Sequence, residues 1–332
     1  PGRGIGVACG GFLSGAKHTR HMGSGAIVEI NVDGGVTLLT GAIDIGQGSD
    51  TVLSQMAAEE LGVRLEDVAI VSADTGITPL DSGTYGSGVT FRAGNAVRAA
   101  AADAKRQLME VAAPRLEADS QEIEFRDRRI YVRDDPARGM AFLEAVRLYR
   151  YADKPMPIVG RGFYVHDTVD MTTIHREEGE ISEAYSFIAQ GAEVEVDQET
   201  GQTRILQVVT AHDCGRMINP TLVEGQLEGT IVGGLGMALY EDQPHVQGRF
   251  LNTSFLDYQL PTALDAPGEM DSFAVETHDP LGPFGAKEAG EGIQISMAPA
   301  IANAIYDATG VRITELPATP DKLVRALRGK EG

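Results

Sequence analysis

The residues best suited to chemistry lie in glycine-bearing loops, and the sharpest is Gly285-Ala286-Lys287-Glu288-Ala289-Gly290-Glu291-Gly292. Glycines on both sides of Glu291 permit backbone angles that other residues resist, so one acid can be aimed into a cleft. A carboxylate drawn partly out of water has its pKa raised, which suits it to take a proton near neutral pH. A Gly-Glu-Gly turn is also a common solvated loop, so the acid needs company, and three further loops supply it. Gly41 to Ser49 holds Gln47 between Gly46 and Gly48. Asp81 to Gly88 holds Thr84, Tyr85 and Ser87, and Asp213 to Pro220 holds Cys214 and Asn219, with Gln226 shortly after. Amides, hydroxyls and one aimed acid suit an extended cofactor rich in hydrogen-bonding edges and phosphates. The protein would then bind and orient it and contribute one base, leaving the hard chemistry to the cofactor.

Other chemistries lack their residues. There is no His-Glu-x-x-His, no Gly-x-Ser-x-Gly elbow, no phosphate-binding Gly-Lys-Ser/Thr and no Gly-x-Gly-x-x-Gly fingerprint. His18 and His21 could pair on a metal, but the surrounding segment offers no further ligands. His212 beside Asp213 reads equally as a hydrogen-bonding residue at a strand end, and Cys214 reads as a small buried filler more readily than as a nucleophile.

The elements that must position these loops follow from periodicity. Ala26 to Val32 and Val36 to Thr40 form a hairpin turned at Asp33-Gly34-Gly35. The Gln47 loop opens a helix from Thr51 to Leu61 that Gly62 stops, and such a loop leaves backbone N–H groups for an anion or planar polar ligand. The Thr84 loop likewise leads into a helix, from Ala93 to about Val111, with Val97, Ala100, Ala104, Leu108 and Val111 on one side. A charged hairpin is expected over Glu122 to Val132 and a short helix over Met140 to Leu148. Tyr151 to Ser182 lacks a clear period and reads as a connection or lid. Ala184 to Val196 and Thr203 to Val209 form another hairpin, and Gly191-Ala192-Glu193-Val194-Glu195-Val196 echoes Gly25-Ala26-Ile27-Val28-Glu29-Ile30. Each echo leads to a glycine-containing loop and a helix, the second running from Leu222 to about Tyr240. The pattern points to an internal duplication, an α+β fold of two similar halves with mixed sheets and packed helices. Residues 1–150 and 183–332 are the expected halves, joined by 151–182. A mostly apolar run from Ile293 to Ile305 follows the Glu291 loop, and Thr319-Pro320 begins a last helix.

Composition narrows the class. The 332 residues suffice for two domains, and the net charge of −20 argues against a nucleic-acid surface. No run of about 20 apolar residues predicts a membrane span. Only Cys9 and Cys214 are present, too few for a four-thiolate cluster, and a cytoplasmic location is the default expectation.

Gly46-Gln47-Gly48, Gly83-Thr84-Tyr85-Gly86-Ser87, Asp213-Cys214-Gly215 with Asn219-Pro220, Glu224-Gly225-Gln226 and Lys287 through Glu291 occur in this order across essentially the whole chain. Together they resemble the molybdopterin-binding subunit of the xanthine dehydrogenase family of molybdenum hydroxylases, in its C-terminal portion. The resemblance implies a molybdopterin cytosine dinucleotide whose dithiolene holds the molybdenum, with no direct protein ligand to the metal. It implies that Gln47 contacts a ligand of molybdenum, with Gly46 and Gly48 admitting the pterin. Thr84, Tyr85, Ser87 and Gly88 would bond the pterin and its phosphate, and Cys214, Asn219 and Gln226 would line the dinucleotide. Glu291 would be the catalytic base toward a molybdenum-bound hydroxyl, while Glu288 would be structural. The implied partners are an N-terminal-type molybdopterin subunit on a separate chain, a [2Fe-2S] subunit and an FAD subunit. The implied reaction is hydroxylation of an electron-poor carbon in an N-heterocycle or aldehyde. Two alternatives stand beside it. Gly282-Pro283-Phe284-Gly285-Ala286-Lys287-Glu288 resembles the relatives that reductively dehydroxylate an aromatic acyl-CoA, and a non-catalytic molybdopterin-binding subunit would use the same loops.

Overall fold

The computed structural model describes residues 2–17, 22–151, 156–176 and 178–330, so the His18 and His21 pair lies outside the described residues. Strand β1 (Gly2–Leu13) is followed by β2 (Ser24–Ile30), β3 (Val36–Thr40), helix α1 (Ser49–Leu61), β4 (Val68–Ser72) and the long helix α2 (Val89–Leu116). A meander of β5 (Ile123–Arg126), β6 (Arg129–Val132) and β7 (Asp135–Ala141) leads to α3 (Phe142–Arg150) and β8 (Ile158–Tyr164). Next come β9 (Tyr185–Val196), β10 (Thr203–Asp213), α4 (Pro220–Leu239), the short β11 (His245–Val246) and β12 (Arg249–Phe250), and β13 (Glu269–Val275). Helices α5 (Glu291–Gln294), α6 (Met297–Thr309) and α7 (Pro320–Lys330) complete the order. No described helix is long and apolar enough to cross a membrane.

These elements form two compact units. The Gln47 unit comprises Leu13–Ala184 with His278–Glu288, and the Glu291 unit comprises Pro1–Phe12, Tyr185–Thr277 and Ala289–Gly332. This division departs from the expected halves 1–150 and 183–332. Strand β1 belongs with the later half because it neighbours β9 in a sheet. His278–Glu288 belongs with the earlier one, where Asn95 Nδ2 donates to Leu281 O at 3.0 Å. The expected connection 151–182 contains β8, which pairs antiparallel with the whole of β2.

In the Gln47 unit the sheet order is β4-β3-β2-β8. Ala26, Val28 and Ile30 alternate inward along β2, as do Val36, Leu38 and Thr40 along β3. β3 and β4 pair in parallel, which requires a crossover, and α1 supplies it. Helix α2 lies on β2 and β8 at unusually close range. A Cβ on Gly160 would stand 2.0 Å from Ala100 O, and one on Gly162 would stand 2.0 Å from Ala96 O. Alternate glycines on the strand and alanines four apart on the helix therefore let the two backbones touch.

The Glu291 unit repeats that plan. Its sheet order is β1-β9-β10-β13, with β9 and β10 antiparallel, β10 and β13 parallel, and α4 as the crossover. Val194, Val196 and Val208 pack with Ile231 and Leu235 of α4 and Met297, Ile301 and Ile305 of α6. Here β1 presents the glycines. A Cβ on Gly2, Gly4 or Gly6 would lie 2.3, 2.3 and 2.2 Å from the carbonyls of Ala308, Ala304 and Ala300. The echoed hexapeptides fall in β2 and β9, so the fold is α+β with two similar halves, each a mixed sheet under a helix.

Candidate cofactor-binding site

The first loop grows from the end of β3 and closes on the start of α1. Positive φ at Gly46 (105°) and Gly48 (81°) turns the chain twice in three residues, a geometry that favours glycine. Asp44 fills the centre of the turn, accepting from Gly46 N at 2.8 Å, Gly48 N at 3.4 Å and Asp50 N at 3.3 Å. Burial pushes the Asp44 carboxyl up, but the N–H groups of Gly46, Asp50 and Gly48 outweigh it and hold the group below the usual carboxylate range. An anion seat at this helix start was expected; a carboxylate from the loop itself occupies those donors. Gln47 also folds back, its Oε1 accepting from Ile45 N at 2.7 Å and its Nε2 donating to Ile43 O at 3.2 Å. One amide N–H and one acceptor site on Gln47 are left over from these bonds.

The second loop is tied to the first, since Thr84 Oγ1 donates to Ile43 O at 2.8 Å. Gly83 and Gly86 have positive φ, and so does Ser87 at 49°, a conformation that a non-glycine residue adopts only where its surroundings enforce it. The enforcement is visible. Gly15 N donates to Gly86 O at 2.8 Å, Asp81 Oδ1 accepts from Gly83 N at 2.7 Å, and Arg92 Nη2 donates to Gly83 O at 2.8 Å. Gly88 is the residue before α2, and a Cβ there would stand 2.8 Å from Gly15 Cα. Its need for glycine is thus met inside the protein and does not depend on a ligand. Ser49 Oγ and Asp50 Oδ1 at the start of α1, and Asp81 Oδ2 and Ser82 Oγ on the second loop, are buried without a hydrogen-bond partner among the described residues.

In the Glu291 unit, Cys214 is buried and its N donates to Val275 O at 3.2 Å, with the thiol 3.8 Å from the same carbonyl. Asp213 Oδ1 accepts from Gly215 N and from Thr277 Oγ1, fixing the turn that follows β10. Asn219 caps α4: its Oδ1 accepts from Leu222 N at 3.1 Å, and Pro220 fills the first helical position. Gln226 is half-buried one turn further on, between Gly225 and Gly229, whose added Cβ atoms would meet nothing within 4 Å. Only Gly233, Gly234 and Gly236 of this helix serve close packing, Gly234 against Met297.

Glu291 begins α5 after Gly290 and is exposed, whereas partial removal from water was expected. The following apolar run does not continue as one helix; it breaks at Ile295-Ser296 before α6. Ile293 packs with Leu227 and Ile188, which sets Glu291 and Gln226 on neighbouring helices around one small apolar cluster. Glu288 belongs to the other unit and is 1% exposed, its N donating to Ser14 Oγ. The expected site residues thus fall into two sets: Gly46, Gln47, Gly48, Thr84, Tyr85, Ser87 and Gly88 in one unit, and Cys214, Asn219, Gln226 and Glu291 in the other. Sequence reasoning passed over Asp44 and Arg92. Asp44 was readable as an acid two residues before a turning glycine, whereas Arg92 shares its helical stretch with Arg98 and only burial sets it apart.

Residues 1–267 match the family model of the molybdopterin cofactor-binding domain, and the chain belongs to that family. It is similar to the xanthine dehydrogenase molybdenum-binding subunit of Escherichia coli, with 33% identity over 97% of this chain and 41% of the relative. It is similar also to the 6-hydroxypseudooxynicotine dehydrogenase complex subunit gamma of Paenarthrobacter nicotinovorans, with 34% identity over 99% of this chain and 40% of that protein. Among solved structures, quinoline 2-oxidoreductase from Pseudomonas putida superposes with a TM-score of 0.88 at 30% identity, covering 98% of this chain and 42% of the other. The chain therefore spans about two-fifths of the length of the relatives it matches.

Proposed function

We propose that this chain supplies cofactor-binding loops and the catalytic base of a molybdenum hydroxylase of the xanthine dehydrogenase type. The observation that carries the reading is the paired architecture of the Gln47 and Thr84 loops. Gly46 turns with φ 105° and has nothing within 4 Å of an added Cβ, so that side of the loop has room for a planar ligand. Ser49 Oγ and Asp50 Oδ1 at the start of α1, and Asp81 Oδ2 and Ser82 Oγ on the Thr84 loop, have no hydrogen-bond partner among the described residues. The Gln47 amide and the hydroxyls of Thr84, Tyr85 and Ser87 fit the hydrogen-bonding edges of a pterin.

When bound, the molybdenum–pterin supplies the two-electron redox chemistry. The chain's own residues hold and orient it. Gln47 offers the amide N–H and the acceptor that its loop bonds leave over, and Thr84, Tyr85 and Ser87 offer polar edges. Gln226, flanked by the open Gly225 and Gly229, would line the dinucleotide, with Asn219 and Cys214 in the turn before it. A Glu291 carboxylate oxygen accepts a proton during turnover. Its exposure in these residues leaves room for the portion of the relatives beyond this match, which we propose completes the pocket and excludes water.

Quinoline, nicotine and xanthine in the names of some similar proteins, and aldehyde in others, support an N-heterocycle or an aldehyde as the substrate class. The cytosine dinucleotide form of the cofactor belongs to the same proposal, as do partner subunits carrying [2Fe-2S] clusters and FAD. Two cysteines in these 332 residues cannot ligate a cluster with four thiolates. Replacing Glu291 with Gln tests the base. Turnover is expected to fall by roughly three orders of magnitude or more, in the range of a lost general base, with metal content near wild type. Near-normal turnover in that variant removes the assignment.

A further inference from the structure

Beneath the Thr84 loop, the Gln47 unit buries a guanidinium. Arg92 is 1% exposed, although every other buried residue in the first three turns of α2 is apolar or small. A buried cation is costly unless paired and hydrogen-bonded, and apolar replacement of buried ionic groups is often no less stable. Among the described residues, the polar contacts of Arg92 go to the loop. Its Nη2 donates to Gly83 O at 2.8 Å, and its guanidinium carbon lies 4.7 Å from the centre of the Tyr85 ring. Nε and Nη1 have no hydrogen-bond partner among the described residues.

The surroundings fix where the guanidinium sits. A Cβ on Gly88 would approach Arg92 Cζ to 3.1 Å, so the cation fills the space below residue 88. A Cβ on Gly15 would stand 2.9 Å from His166 Nε2 and 3.6 Å from Arg92 Nη1, so imidazole and guanidinium converge on one glycine. His166 is 2% exposed, stacks on Phe91 with ring centres 5.4 Å apart, and has its Nδ1 2.8 Å from Glu183 Oε2. Glu183 also accepts from Tyr164 Oη and from Asp167 N. With Nδ1–H donated to Glu183, Nε2 carries a lone pair on the side shared with Arg92.

We propose that Arg92 is a positioning residue for the cofactor loop, holding Gly83 and Tyr85 from beneath while Glu183 and His166 fix the floor on which it rests. The proposal rests on the cofactor reading given above. It makes the polar edges of Gly83 to Gly88 preset for the pterin, at the cost of a buried charge that a merely structural role would replace with an apolar side chain.

The test uses the intact assembly carrying Arg92→Met or Arg92→Lys, with amide hydrogen exchange read by mass spectrometry and pterin retention followed during dialysis. In Arg92→Met, exchange across residues 81–88 and the rate of pterin loss are expected to rise roughly 30-fold, the worth of one charged hydrogen bond with a cation–π contact. Exchange across 31–40 and the melting temperature stay near wild type. Lysine can reach Gly83 O but does not stack as a plane, so Arg92→Lys should recover part of the protection. Unchanged exchange across 81–88 in Arg92→Met overturns the proposal, and so does a general rise across the unit. If Arg92→Met does not fold, Arg92→Lys decides, by raised or unchanged exchange in 81–88 alone. A wild-type assembly without pterin would refute the cofactor reading, while the exchange measurement would still decide whether Arg92 holds the loop.

Discussion

Removing the Asp44 carboxylate should loosen the Gln47 loop by an amount that can be worked from its bonds. One bond is short, from Gly46 N at 2.8 Å, and two are long, from Gly48 N and Asp50 N at 3.4 and 3.3 Å. A hydrogen bond to a charged acceptor contributes about 1.5–3 kcal/mol, and deletion of a helix cap costs about 0.5–2 kcal/mol. The two long bonds add little, so Asp44→Ala is expected to cost about 2 kcal/mol locally, or roughly 30-fold faster amide exchange over residues 44–50. Asp44→Asn keeps an acceptor for Gly46 but loses the charge and one acceptor oxygen, and should fall near half that free energy. The wild-type carboxyl is held below its ordinary value of 3.8, so its contribution is complete above that pH and is lost as pH falls through the lower folded value. Peptide-level exchange mass spectrometry reads both effects. Exchange in Asp44→Ala within threefold of wild type would refute the argument that this acid organises the loop.

Other perturbations separate packing, conformation and charge. Burial, ahead of the opposing Glu183 carboxylate, lowers the His166 pKa below its ordinary 6.5. The unfolded chain then binds a proton that the folded chain refuses, so stability is complete above pH 6.5 and falls below it, by at most about 1.4 kcal/mol per pH unit. His166→Gln should flatten that slope in melting temperature against pH. Gly160→Ala would press a Cβ to 2.0 Å from Ala100 O, a backbone atom, so α2 must lift from β8. A loss of about 3 kcal/mol or more in chemical unfolding is expected, and a neutral result would contradict the close contact. Gly46→Ala meets no atom, so its cost is conformational alone, about 1–3 kcal/mol confined to the loop.

Much of the fold was legible because its punctuation is chemical. Gly62 stops α1 in the left-handed conformation, and the spacing of Val97, Ala100, Ala104 and Leu108 reads directly as the inner face of α2. The hairpins and their echo were legible from alternation, and so was the two-fold plan. Strands β1 and β8 were not, because glycine is a poor strand former and its value at Gly4, Gly6, Gly160 and Gly162 lies in the helix that presses on them. That partner is distant in sequence, so no local pattern announces it. The same holds for the exchange of β1 and His278–Glu288 between halves, which depends on pairing and not on composition. At the site, the glycine loops announced themselves, whereas Asp44 and Arg92 act on backbone atoms and leave no periodic trace. Glu291 is exposed at the first position of the four-residue α5, and hydropathy alone reads the apolar run after it as continuous across its break at Ile295-Ser296.

The most direct measurement is the molybdenum and pterin content of the native assembly, purified from cells able to make the cofactor. One molybdenum and one pterin per copy of this chain are predicted, with the pterin lost on Gln47→Ala and Thr84→Ala substitution together. An assembly that is folded, complete and free of both would contradict the account.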